Sequence, residues 1–474
     1  LNRNTPALAL AAVLVCSTLA ACGGGGGDSN TSAPATSAPV ITTQPASVNV
    51  ALGAAATLSV VATGDSLTYQ WYKAGTAITG ATTASYTLTA TVAADQSTYY
   101  VVITNSKGTA TSDTVALNVT SLNPSKPSYP TVSLANAFLA PLSAAQKAAA
   151  TFESSTSTVL FPFSRSYVTS WSAQAVSHHG LRLDSATLTD AQLGPANALV
   201  AGALSASGAK LLADVRAADG VLAGSYPNTG WGSNMYSVAF IGNPVTDAPW
   251  TLQIQGHNIA YNITYNSLYD SATPMFAGAE PTDWTNGGVA YAPLETHRQA
   301  VYNLANALQY DTATASAARL GGTYTDILMG ATANGDINFG LLNYPSTNRG
   351  VAYTSLNDAQ KAYVKALIEA YVRTQRDYIA NSLIPTYESD EALSQTYVGF
   401  APGANGTADF GPNPNAGAVP LSSQNSYLRI DGPRVWIEFV VTPGTANPSR
   451  VAYRSVWRDK LADYGGAFGT GSGK

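Results

Sequence analysis

A chain of 474 residues is too long for one ordinary core, so two or three folded units are expected. At 45% hydrophobic it has enough apolar material to fold, while its 11% charged residues fall well under the roughly 25% of an average globular protein. A net charge of −5 without a lysine or arginine cluster excludes a nucleic-acid partner, and two cysteines, both within the first 22 residues, exclude disulfides and thiolate metal sites from the rest of the chain.

At the N-terminus, Arg3 precedes an apolar stretch from Ala7 to Ala20, which has signal-peptide length and is too short to span a bilayer comfortably. Leu19-Ala20-Ala21-Cys22 reads as a lipobox. Small residues before the cysteine suit the signal peptidase, and the Cys22 thiol would accept the lipid. Residues 1–21 are therefore expected to be a cleaved signal peptide and Cys22 a lipid-modified residue. Gly23–Gly27 and the Ser/Thr/Ala/Pro run to Pro39 make residues 22–39 a flexible tether. Gly23 rather than Asp follows the cysteine, so an inner-membrane retention signal is missing. The expected address is the cell envelope, by a lipid anchor, in the outer membrane if the cell is Gram-negative.

Residues 40–120 alternate apolar and polar side chains, with turn signals about every ten positions. Strands are expected at Leu58–Ala62, Tyr69–Tyr72, Asp95–Ile103 and Thr114–Val119. The pattern resembles a bacterial immunoglobulin-like domain, an all-β sandwich. That resemblance makes Trp71 the buried strand tryptophan and Tyr99, two residues before Val101, a tyrosine corner. Val60 and Val101 stand where antibody domains place bridging cysteines.

Ser121 to Pro130 is rich in Pro and Ser, which makes residues 121–131 a linker. Residues 132–470 then mix two periodicities. Helices are expected at Leu142–Phe152, Thr189–Leu204, Gly208–Leu222, Leu294–Leu308 and Leu356–Ile379. The last is opened by Ser355 with Asp358 three positions on, and Val364, Leu367, Ile368 and Tyr371 form its buried stripe. Strands are expected at Met235–Ile241, Trp250–Gln255, Asn258–Tyr265, Tyr427–Ile430, Val435–Val441 and Arg450–Trp457. Helices and strands do not alternate one for one, so the larger unit is read as an α+β domain with a mostly antiparallel sheet.

The blocks Trp250–Tyr265, Thr273–Trp284, Tyr291–Val301, Gly321–Gly330, Arg429–Phe439 and Ser455–Phe468 resemble, in order, the family called domain of unknown function 3500. The resemblance spans residues 133–468. A family named for lacking an assigned function implies little about activity. It does imply a histidine pair where this chain has His257-Asn258, and a His-x-His where it has Ala452 and Arg454. Histidines at i and i+2 on a strand share a face and suit a metal, so this chain would be a member that lost such a site.

Among the four histidines, His178, His179, His257 and His297, the residue His257 is the metal-ligand candidate. No cofactor is favoured, and a divalent metal is the alternative. His297 lies two residues after Glu295 on a predicted helix, which puts the two on different faces. His257, Glu280, Glu438 and Arg458 are candidate catalytic residues. Arg434, Trp436 and Glu438 alternate along a strand, so Arg434 and Trp436, with Tyr261, are candidate ligand contacts. No nucleophile elbow, His-Glu-x-x-His pair or phosphate loop occurs. Two readings stay open. One is an envelope protein that binds a small polar ligand, saccharide or polymer near Gly256-His257. The other is an extracytoplasmic hydrolase or metal-assisted oxidoreductase centred on His257.

Overall fold

The computed structural model describes residues 37–51, 55–89, 95–120, 125–152, 180–226, 231–246, 249–265, 270–330, 343–411 and 420–466. The expected signal peptide, Cys22, most of the tether and His178-His179 lie outside them. The chain divides into two compact units between Val119 and Thr120.

The first unit is all β. Its strands are β1 (Val40–Thr43), β2 (Val48–Ala51), β3 (Ala56–Ser59), β4 (Val61–Thr63), β5 (Thr68–Lys73), β6 (Thr76–Ala77), β7 (Ser85–Leu88), β8 (Ser97–Asn105), β9 (Gly108–Thr111) and β10 (Val115–Thr120). One sheet runs β2-β10-β8-β5-β6, with β9 also on β8, and the pairs β1–β4 and β3–β7 complete the unit. Alternation sends Leu58, Trp71, Tyr99, Val101, Ile103 and Leu117 into one core. Trp71 and Val101 are direct cross-strand partners. Val60 is buried with them, so apolar packing occupies the expected bridge positions. The Tyr99 hydroxyl donates to the Asp95 carbonyl at 2.8 Å, which forms the expected tyrosine corner. The expected strand at Leu58–Ala62 is interrupted at Val60, whose N–H bonds instead to the Ala84 carbonyl.

The second unit opens with α1 (Tyr129–Leu139), inside the stretch read as linker. Pro130 sits in its first turn, where a missing N–H costs nothing. Next come α2 (Ala144–Ala150), α3 (Asp190–Ala203) and α4 (Ala206–Ser225). Ser143 and Thr189 open α2 and α3 with capping boxes, and the Ser205 hydroxyl caps α4. The expected helix over Leu142–Phe152 ends at Ala150. Its last two residues become β11 (Thr151–Phe152) and pair in parallel with Phe240 and Ile241.

The remaining strands are β12 (Leu181–Arg182), β13 (Ser237–Ile241), β14 (Trp250–Gly256), β15 (Ile259–Tyr265), β16 (Met275–Ala279), a small hairpin of β17 (Trp284–Asn286) and β18 (Val289–Tyr291), β19 (Val351–Ala352), β20 (Tyr397–Ala401), β21 (Tyr427–Asp431), β22 (Val435–Pro443) and β23 (Val451–Asp459). One large sheet runs β11-β13-β14-β15-β16-β23-β22-β21-β20-β19, with β12 beside β13. Apart from β11 the pairings are antiparallel, as the α+β reading expected.

Three further helices, α5 (Glu295–Gln309), α6 (Asp358–Val372) and α7 (Asp377–Tyr387), join α1, α3 and α4 on one face of this sheet. The single helix expected over Leu356–Ile379 is two. Asn357 rather than Ser355 caps the first, in a box with Gln360. Between them the backbone turns to the neighbouring chain: the Ser205 N–H bonds to the Thr374 carbonyl, and Leu204 bridges Gln375. Tertiary pairing there replaces the helical bonds that continuation would have made.

Strand parity decides which residues meet the helices. Val435, Ile437, Phe439 and Val441 of β22 enter the helix-side core together with Tyr453 and Trp457 of β23. Trp436 and Val456, and separately Val440 with Tyr427, face the other side. The segment from Leu320 to Met329 covers that side.

Candidate functional site

His257 sits at the tip of the β14–β15 hairpin, where Gly256 pairs with Ile259 and leaves a two-residue turn. The strand expected from Asn258 therefore starts one residue later. Asn258 has φ 62°, a left-handed value that asparagine tolerates better than most residues. Gly256 is required by crowding, since a Cβ there would lie 2.4 Å from the Tyr236 ring. The turn aims the His257 ring at α4, where its Nδ1 lies 2.7 Å from Oδ1 of Asp219. The Tyr236 hydroxyl donates to the other Asp219 oxygen at 2.5 Å. Trp231 stacks on the imidazole with centroids 5.6 Å apart. Burial raises the Asp219 pKa, opposed by hydrogen bonds from His257 and Tyr236 and reinforced by the charge of Glu280. Such a pair orients an imidazole, which can serve proton transfer or simply close a buried corner. Among the described residues no group of three His, Cys, Asp or Glu side chains could hold a metal ion.

The positions where the resemblance implied histidines do come together. The Gly278 N–H donates to the Asn258 carbonyl at 2.6 Å, and Gly278 is the cross-strand partner of Arg454. Ala452 follows on the same face of β23. Here a guanidinium stands in place of an imidazole, and it reaches the Asp326 carboxylate and, at 3.0 Å, the Thr445 hydroxyl.

The other three catalytic candidates are occupied by their own surroundings. Buried Glu280 accepts the backbone N–H groups of Thr445, Ala446 and Asn447 at 2.8, 2.8 and 3.0 Å and so holds the turn between β22 and β23. Glu438 accepts from Leu328 and Met329 N–H at 2.6 and 2.8 Å, from the Tyr427 hydroxyl at 2.8 Å and from Trp436 Nε1 at 2.6 Å. Burial raises the Glu438 pKa, and these donors oppose it. Arg458 grips the same segment from its other side, donating to the Met329 and Gly330 carbonyls, and pairs with Asp463 at 2.8 Å. Glu438 and Arg458 are thus neighbours that clamp one loop. His257 belongs to a separate group with Asp219.

The residues read as a ligand set do not share a surface. Trp436 and Glu438 do point the same way, but Arg434 lies just before the strand and turns to the helix side. There it pairs with Asp459, to which the Tyr387 hydroxyl also donates at 2.9 Å. Trp436 is fully buried, with Arg429 and Lys460 at 5.0 and 5.3 Å from its ring. Tyr261 is fully buried too and donates to the Gly208 carbonyl at 3.2 Å. Aromatic and cationic side chains of this kind bury readily once their polar ends find partners.

An open cleft lies instead in the helix layer. A void of about 650 Å³ is lined by Ser207, Lys210 and Asp214 of α4, by Glu295, His297 and Asn303 of α5, and by Glu369 and Arg373 at the end of α6. Glu295 and His297, expected on different faces, both border this cleft, although their side chains find different partners. The first pairs with Arg298 at 2.6 Å, and the second meets the Tyr371 ring edge-on at 4.5 Å. Asp219 escaped the sequence reading, though a signal existed. It falls within the buried stripe Leu211, Leu212, Val215, Ala218 and Leu222 of α4, where an acid needs a partner.

The two units thus define a class of protein: an immunoglobulin-like sandwich followed by a large antiparallel sheet, helix-covered on one face and loop-clamped on the other. The chain belongs to the family described as protein of unknown function (DUF3500), whose model matches residues 125–466. Residues 37–124 match the model of an Ig-like domain that is CHU_C associated. No curated protein matches the chain. Among solved structures, the I-band fragment I67–I69 from titin is 23% identical over 18% of this chain and 34% of its own length, with a TM-score of 0.17. Titin M4 is 26% identical over 18% of this chain and 96% of its own, with a TM-score of 0.16.

Proposed function

We propose that this chain is a lipid-anchored extracytoplasmic protein that binds a small polar ligand, saccharide or polymer through its C-terminal domain, the sandwich acting as a spacer after the tether. The lipobox ending at Cys22 supports the anchor. One observation carries the choice of binding over catalysis. His257 is spent on Asp219, Glu280 on the turn at Thr445–Asn447, and Glu438 with Arg458 on the loop at Leu328–Gly330, rather than gathered round one concave space. A substrate would have to break those bonds before meeting any of the four.

The oriented Asp219–His257 pair favours a second reading, an extracytoplasmic hydrolase or metal-assisted oxidoreductase centred on His257. Metal analysis of the soluble form beginning after Cys22, beside a His257→Ala variant, separates the two. Stoichiometric zinc, copper or iron that disappears in the variant would replace the binding reading with the enzymatic one. For the anchor, mass spectrometry of the exported full chain should find a diacylglyceryl mass on Cys22. An unmodified thiol there would remove the lipoprotein assignment.

A further inference from the structure

We infer that Asn286, at the tip of the β17–β18 hairpin, is a site of spontaneous covalent modification. Its side-chain amide is displaced by the Gly287 backbone nitrogen to form a cyclic imide, which water opens to aspartate or isoaspartate.

Asn286 and Val289 are the last paired residues of the hairpin, so Gly287 and Gly288 form its turn. Both have positive φ, 56° and 81°, a left-handed turn that glycine makes without strain. Every residue from Thr285 to Ala290 is exposed, and a Cβ built on either glycine would meet nothing within 4 Å. Among the described residues no hydrogen bond holds the Asn286 side chain or the Gly287 N–H. Glycine also has no side chain to shield the nitrogen that attacks. The amide carbon and that nitrogen are therefore neighbours in the chain, open to water and free to reach each other.

Exposure is not what sets this step apart. Asn405-Gly406, the same dipeptide in the loop after β20, is exposed as well. There Oδ1 of Asn405 accepts the Thr407 N–H and the Thr407 hydroxyl, both at 3.0 Å. The Gly406 N–H donates to the Gly403 carbonyl at 3.0 Å. Side chain and attacking nitrogen are each held, so ring closure at Asn405 must first break those bonds. At Asn286 there are none to break.

The reaction needs water and neither oxidant nor reductant. The Gly287 nitrogen forms a bond to Cγ of Asn286 and gives up its proton. The Cγ–Nδ2 bond breaks, and ammonia leaves with that proton. Water then splits one of the two imide C–N bonds. Cleavage at Cγ gives aspartate, and cleavage at the main-chain carbonyl gives isoaspartate, with an extra carbon in the backbone. Either product puts a negative charge on a tip, Thr285–Ala290, that carries none. Isoaspartate also disturbs the register of Asn286 with Val289, beside which Trp284 and Tyr291 stack at 5.0 Å.

The test is mass-spectrometric peptide mapping of the soluble form beginning after Cys22, held folded in mildly alkaline buffer and, in parallel, unfolded in urea. Chymotrypsin cuts after Trp284 and Tyr291 and after Phe400 and Phe410, so each Asn-Gly step falls in its own short peptide. In the folded chain Asn286 should convert at least tenfold faster than Asn405, with isoaspartate among the products. In urea the two rates should converge. Equal rates in the folded chain, or an Asn286 that stays an amide while the unfolded chain converts, would overturn the inference. Gly287→Ala should slow conversion at Asn286 at least tenfold. An unchanged rate in that variant would assign the loss to direct hydrolysis and overturn the imide route. Should Gly287→Ala fail to fold, the comparison of Asn286 with Asn405 in the wild type decides by itself.

Discussion

The imidazole of His257 and the carboxylate of Asp219 are 2.7 Å apart, 38 residues distant in the chain, and both are almost wholly buried. Removing one partner of a buried pair strands the other. Asp219→Ala should therefore cost about 3–5 kcal/mol in urea unfolding, with the Tyr236 hydroxyl losing one of its two acceptors and keeping the His257 carbonyl at 3.0 Å. His257→Ala should cost a similar amount, and the double variant clearly less than the sum. Strict additivity would mean that the pair is not coupled.

Glu438 has four donors around its two oxygens, so an amide cannot replace it. Glu438→Gln would turn an NH₂ group against either Leu328 N–H and the Tyr427 hydroxyl or Met329 N–H and Trp436 Nε1. A loss of about 2–4 kcal/mol is expected, with faster amide hydrogen exchange concentrated at Leu328 and Met329. Exchange that stays slow at those two amides would show that the clamp does not depend on Glu438.

His297 gives the second unit a pH dependence of known sign. Its pKa falls from 6.5 to about 4 on folding, through burial. The unfolded chain therefore binds the extra proton first, and stability falls as pH drops from the unfolded value through the folded one. A tenfold difference in proton affinity is worth about 1.36 kcal/mol, so the loss between pH 7 and pH 4 from this group is about 3 kcal/mol. The ring that faces it is that of Tyr371 on α6, which meets the imidazole edge-on. In His297→Phe the loss of unfolding free energy between pH 7 and pH 4 should shrink by about that amount. An unchanged loss would assign the acid sensitivity to the carboxylates.

In the first unit, Tyr99→Phe removes only the hydroxyl that donates to the Asp95 carbonyl. A cost of about 1 kcal/mol is expected. It should appear in the unfolding of residues 37–119 and leave the second unit's transition unmoved, because the corner's contacts lie within the first unit. A shift in both transitions would show that the two units unfold together.

What the sequence determined by itself is what depends on neighbours in the chain. Alternation marked the strands of the sandwich, the resemblance to an immunoglobulin-like domain implied the buried places of Trp71 and Tyr99, and the helix expected from Thr189 starts where its cap acts on N–H groups two or three residues away. The order of helices and strands, which do not alternate one for one, also pointed to the antiparallel character of the large sheet. The candidate site was less legible. The sequence singled out Glu280, Glu438 and Arg458, yet a carboxylate reads the same whether it meets a substrate or three backbone N–H groups. Only the tertiary structure decided that Glu280 holds the turn at Thr445–Asn447 and that Arg434 leaves the face of Trp436 for Asp459. It also split the helix expected at Leu356–Ile379, because Thr374 bonds to Ser205, far away in sequence. Side-chain partners across a fold are set by which elements pack together. That choice is made by the summed burial of whole faces rather than by any residue's near neighbours.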